Sequence, residues 1–91
     1  MCQIKIAAAA DAAGISVMLH GGGRNAFGQH FSIAMSAVPW LEYFVGSAPG
    51  VPLTEVPHLP GEAVAQDGWL TVSDAPGFGL DVPEAWITPF F

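Results

Sequence analysis

Hydrophobic and polar positions follow two regimes along this chain: helical spacing interrupted by glycine, and short unbroken apolar runs. Residues 3–13 are alanine-rich, and Ile4, Ile6 and Ala8 to Ala10 give them strong helix propensity and a small-residue packing face. Gly14 fits the position just past a helix end. Ile15-Ser16-Val17-Met18-Leu19 then reads as a short, fully buried strand with His20 at its carboxyl end. After Gly21-Gly22-Gly23, Asn25 caps a second predicted helix, with Phe27, Phe31, Ala34 and Val38 along one face and Pro39 as its stop. Trp40 to Val45 is a second apolar strand containing one carboxylate, Glu42.

Helix, strand, helix, strand at this spacing predicts a βαβ unit and an α/β fold, with a parallel sheet and a right-handed crossover. Two parallel strands alone do not make a stable sheet, so the pattern calls for neighbours beyond these residues. From Gly46 to Gly61 the chain changes character, because Pro49, Pro52, Pro57 and Pro60 favour an extended surface connection. Residues 63–72 read as a hairpin turning at Asp67-Gly68, a pair suited to a tight turn with positive backbone angles. A second turn follows at residues 75–79, then a short extended piece at 80–82.

Composition sharpens the sense of incompleteness. Of 91 residues 52% are hydrophobic and 11% charged, against roughly 25% charged in ordinary soluble domains. A body this small has a large surface to cover, and ten charged side chains cannot cover it. The chain is therefore expected to bury itself against a partner or to be a piece of a larger protein.

The net charge of −6 argues against nucleic acid, since Lys5 and Arg24 are the only basic side chains. No long apolar window free of charge or proline predicts a membrane span, and Asp11 interrupts what would be the apolar centre of a secretory signal. A single cysteine, Cys2, excludes an internal disulfide and suits the cytoplasm.

His20 is the leading candidate for chemistry. The carboxyl end of a strand is where α/β sheets and barrels bind ligands, the adjacent glycines let backbone approach a ligand, and imidazole transfers protons near neutral pH. The alternative is a packed, hydrogen-bonded structural histidine. Glu42, alone in an apolar run, must face solvent or be paired. Arg24 and Asn25 can contact an anionic or hydroxylated ligand from the glycine loop, or lie at the surface. His30 and His58 read as packing or surface residues, and with His20 and Cys2 they show no metal-ligand spacing. Trp40, Tyr43 and Phe44 read as core.

Two alternatives belong to other classes. His20-Gly21-Gly22-Gly23 spells the oxyanion loop of some α/β-hydrolase esterases, but Ser16 lacks the second glycine of a Gly-x-Ser-x-Gly turn and no other serine fits. The apolar faces could also belong to a non-enzymatic module satisfied by self-association.

Taken in order, several stretches resemble the carboxyl-terminal part of the enolase superfamily, in the mandelate racemase branch with its acid-sugar dehydratases of the L-rhamnonate type. They are residues 5–14, Val17-Met18-Leu19-His20-Gly21, Gln29-His30-Phe31, Pro39-Trp40-Leu41-Glu42-Tyr43-Phe44, and Gly68 through Ala75-Pro76-Gly77-Phe78-Gly79-Leu80. The resemblance implies that residues 1–45 end a (β/α) barrel and that residues 46–91 form an irregular tail with a β-hairpin, running back towards a capping domain. It implies a Mg²⁺-dependent lyase or racemase acting next to a sugar-acid carboxylate, in a homo-oligomer or with the remainder of the barrel. His20 would match the histidine ending the seventh strand, as general base or acid. Glu42 would match the eighth-strand glutamate that hydrogen-bonds the substrate carboxylate. The metal carboxylates, the second-strand lysine and the aspartate orienting the histidine would lie upstream of Met1, so the chain alone is expected to be inactive. Asp11, on the helix after the sixth strand, is not that aspartate.

Overall fold

Alanine-rich sequence forms helix as expected: in the computed structural model, which describes residues 2–44 and 46–90, α1 spans Cys2–Ala13. It buries only Ala7 and Ala10, the small-residue face, and leaves Ile4 and Ile6 exposed. Its end is a Schellman motif. Gly14 takes a left-handed φ of 70°, and the amides of Gly14 and Ile15 donate to the carbonyls of Asp11 and Ala10 at 3.1 and 3.0 Å.

Residues 22–24 form a 3-10 turn, and α2 follows at Ala26–Ala34. The Asn25 side chain accepts from the Gly28 amide at 2.6 Å, the expected cap. A Cβ at Gly28 would strike the Gly22 Cα at 2.7 Å, so glycine allows α2 to lie directly on the turn before it.

Four expectations require correction. α2 stops at Ala34, short of Pro39. Met35 is extended (φ −102°, ψ 120°), and the turn after it buries Ala37 and Val38 and sets the Ala37 carbonyl 2.8 Å from the Val17 amide. Tertiary contact thus ends the helix before proline does. The buried face of α2 carries Ala26, Gly28, Gln29 and Ser32, while Phe27 and Ala34, on the predicted apolar stripe, are exposed.

Third, neither apolar run forms a strand. Among the described residues there is no β-ladder and no βαβ unit, only an isolated antiparallel bridge between Gln66 and Trp69. Val45, the last residue of the second expected strand, lies outside the described residues. A parallel sheet depends on more than two strands and on cover over both faces, and two short runs cannot supply these to each other. The expected hairpin likewise reduces to that one bridge: Gln66 and Trp69 exchange backbone bonds of 2.8 and 2.9 Å around Asp67 (φ 51°) and Gly68 (φ 80°). The turn is present, and the strands beyond it are not. Fourth, Trp40 and Phe44 are exposed and Tyr43 is half-buried, so this aromatic set is not core.

The result is an open body. Its Cα radius of gyration is 14.9 Å, against about 12 Å for a well-packed domain of this length. Trp40, Trp69 and Trp86 are 73%, 80% and 60% exposed. An apolar groove of about 610 Å³ runs past Ile4, Leu19, Phe27, Phe31 and Phe78 to His20. At its edge Phe27 and Phe78 meet edge-to-face, with centroids 4.6 Å apart.

Candidate functional site

The site is built on the glycine turn. Gly21 takes a φ of 67°, a left-handed angle that costs a residue with a Cβ. This sharp reversal points the Gly21 amide at the Glu42 side chain, with the N–H donating to Oε2 at 2.8 Å. The Gly23 amide donates to the Glu42 backbone carbonyl at 2.9 Å. A Cβ at Gly23 would meet that carbonyl oxygen at 2.8 Å, so only glycine fits between the turn and residue 42. Glu42 is thus held from both its side chain and its backbone.

His20 immediately precedes the turn. Its Nδ1 lies 3.2 Å from the same Oε2, with the imidazole 99% exposed and the Glu42 side chain 43% exposed. The two leading candidates therefore meet, although neither segment is a strand. A carboxylate half in water accepting an amide and facing an imidazole satisfies the need for a partner that its apolar neighbours predict.

Arg24 and Asn25 lie beside this pair in the chain with other immediate partners. Arg24 donates through Nη1 to the Phe44 carbonyl at 2.8 Å and through Nη2 to the Pro57 carbonyl at 3.4 Å. Its guanidinium also sits 5.7 Å from the Tyr43 ring centroid. Asn25 caps α2 and reaches the Gly21 carbonyl at 3.5 Å. His30 contacts the Phe78 carbonyl through Nε2 at 3.1 Å, and His58 contacts the Val56 carbonyl through Nδ1 at 2.8 Å. His58 thus serves local structure, whereas His30 joins α2 to the tail at Phe78.

The sequence reading gave Gln29 no site role. It is 1% exposed, and its Nε2 donates to the carbonyls of Gly23 (2.9 Å) and Ala63 (2.8 Å) while its Oε1 accepts from the Ala63 amide at 3.3 Å. One side chain ties the glycine turn to the tail. A mid-helix glutamine reads as solvent-facing, and backbone partners leave no mark in the sequence. The small residues one turn away on that face, Ala26 and Ser32, were the available signal.

The esterase alternative fails on geometry. The amide of Gly22 donates to the Leu19 carbonyl at 3.2 Å, and those of Gly21 and Gly23 donate to Glu42. An oxyanion hole requires donors aimed at the reacting oxygen, and all three are already committed, one to Leu19 and two to Glu42. Among the described residues no cluster of three or more His, Cys, Asp or Glu side chains can hold a metal ion. Nor is any helix among them long and apolar enough to cross a membrane.

A family profile described as "Enolase C-terminal domain-like" matches residues 3–86. A protein of Caldivirga maquilingensis named "Putative L-rhamnonate dehydratase" is 37% identical over 82 residues, which is 88% of this chain and 20% of the relative. The chain thus spans one fifth of that relative's length. No solved structure matches it.

Proposed function

We propose a function from one premise: the chain belongs to the enolase C-terminal domain-like family, a domain of α/β barrel type. In this reading it is the carboxyl-terminal segment of an acid-sugar dehydratase, inactive alone. Residues 1–45 complete the barrel, residues 46–91 run towards a capping domain, and assembly is with the remainder of the barrel or as a homo-oligomer. The name of the Caldivirga relative supports a sugar acid as substrate, and a small polar substrate suits the cytoplasm. The observation that carries the reading is the approach of His20 Nδ1 to Glu42 Oε2 at 3.2 Å within the matched span.

His20 takes the proton from the carbon next to the substrate carboxylate. The electron pair of that C–H bond becomes a carbon–carbon double bond as the C–O bond on the neighbouring carbon breaks; the departing hydroxide leaves as water with the proton His20 has taken, and the enol left behind tautomerises to the 2-keto acid. General acid–base transfer of this kind contributes about 10²–10⁴-fold in rate. Glu42 hydrogen-bonds the substrate carboxylate, which for two carboxylates requires a shared proton. Arg24 and Asn25, on the turn beside them, contact the hydroxylated chain.

Among the described residues no group of side chains fits a metal. In this reading the carboxylates that would hold Mg²⁺ belong to the remainder of the barrel. The test is 2-keto acid formation from a panel of sugar acids. The chain alone should give none, and a polypeptide extended to the full length of the relative should give turnover. In that longer polypeptide His20→Asn should lower the rate by about 10²–10⁴-fold. Full activity of the His20→Asn protein would overturn the reading.

A further inference from the structure

We infer that the hollow beside the Asp67-Gly68 turn is a docking pocket for an arginine side chain of another polypeptide, whatever reaction the chain serves.

The hollow is built from separate pieces of the tail. Val64 and Gln66 line it from the arm entering the turn, Trp69 and Thr71 from the arm leaving it, and Thr54 from the 3-10 turn at Leu53–Glu55. Its volume is about 570 Å³. The backbone bonds between Gln66 and Trp69, at 2.8 and 2.9 Å, pin the two arms together, and the left-handed Asp67 (φ 51°) makes the reversal. The Asp67 carboxylate and the Trp69 indole thereby line one space, and Trp69 is 80% exposed. Among the described residues no side chain of the hollow has a hydrogen-bond or ion-pair partner.

The chemistry of this lining is one-sided. Asp67 supplies a negative charge, the Gln66 carbonyl and the threonine hydroxyls accept hydrogen bonds, and the indole face is electron-rich. A guanidinium answers all of these, because it is planar, stacks on aromatic rings, carries five N–H donors and stays charged. An ammonium has the charge without the flat face, and a neutral ligand leaves Asp67 uncompensated.

The surroundings have the same sign. Residues 46–91 hold Glu55, Glu62, Asp67, Asp74, Asp81 and Glu84, six of the eight acidic side chains, and neither of the two basic ones. Such a field draws a cationic partner and fixes how it docks. The chain does not supply the cation itself: Arg24 is bonded to the carbonyls of Phe44 and Pro57, and Lys5 is the only other basic side chain. Trp86 marks the contrast, since its indole is also exposed but lines a hollow with both Arg24 and Glu62, where the charges offset.

The test uses the full 91-residue chain labelled with 5-fluorotryptophan and read by ¹⁹F NMR at an ionic strength of about 0.01 M, where screening is weak. The probe is arginine capped at both ends, Nα-acetylarginine methylamide, with its citrulline and lysine counterparts as neutral and ammonium controls. The Trp69 signal, assigned from Trp69→Phe, should shift saturably with the arginine probe, about threefold more tightly than with the lysine probe, and not with citrulline. The Trp40 and Trp86 signals should stay in place. Asp67→Asn removes the charge and keeps a residue that accepts a left-handed φ. It should weaken arginine binding about three- to fivefold, and unmoved Trp40 and Trp86 signals show that its fold is intact. No saturable Trp69 shift, equal affinity for the lysine or citrulline probe, unchanged affinity in Asp67→Asn, or all three signals moving together would each overturn the inference. So would tighter binding of free arginine than of the capped probe, which would make the hollow a small-molecule site.

Discussion

Between Gly21 and Ser32 the residues Gly22, Gly23, Ala26, Gly28, Gln29 and Ser32 are buried, and each change of direction is held by a polar partner. Between Gly46 and Phe90 Gly79 alone is buried among the described residues, and Trp69, Trp86 and Ile87 stand in solvent. The first region is ordered by hydrogen bonds whose donors and acceptors all lie within the chain. The second is rich in apolar groups whose stabilisation depends on removing surface from water, and the chain offers too little cover. Local polar bonds therefore hold the His20–Glu42 site together while much of the apolar surface stays in water. The tail is joined to the ordered region chiefly through Gln29, Arg24, His30 and the Phe27–Phe78 contact.

The sharpest way to break this contrast is Gln29→Leu. It strips partners from the Gly23 and Ala63 carbonyls and the Ala63 amide, at about 1–3 kcal/mol for each group left bare. Limited proteolysis should cut the tail much faster, and the denaturant midpoint should fall further than for any other single change considered. Unchanged cleavage would show that Gln29 is not the tie. Gly23→Ala comes next, because its Cβ would press on the Glu42 carbonyl at 2.8 Å and the Tyr43 ring at 3.0 Å. A loss of roughly 1–3 kcal/mol should appear in denaturant melts, with an upfield shift of the Gly21 amide proton as Glu42 moves away. Asn25→Ala removes the α2 cap, with an expected loss of about 1 kcal/mol and reduced helical circular dichroism. The smallest effect belongs to the tail: Trp69→Ser should change stability by less than about 0.5 kcal/mol. A loss comparable to that of Gln29→Leu would erase the distinction between the regions.

What could be read from sequence follows the same division. Features set by neighbours in the chain were legible: α1 and its glycine end, the Asn25 cap and the Asp67-Gly68 turn. Features set by distant backbone were not. The runs at 15–20 and 40–44 have strand composition, but strandedness resides in pairing that no run carries by itself. The stripe through Phe27 and Phe31 obeyed the usual helical periodicity, yet Phe27 is exposed and Phe31 only half-buried, because Gly28 and Gln29 dock α2 on the glycine turn. Of the site, His20 and Glu42 were legible as unusual residues in apolar surroundings. Their meeting depends on the positive φ of Gly21, which glycine permits but does not dictate.

All three tryptophans of the chain are set in water, which makes the molecule its own optical sensor. Any surface that docks over Trp40, Trp69 or Trp86 must exclude solvent from an indole. Intrinsic emission would then move to the blue, so burial of any of the three can be followed without a label.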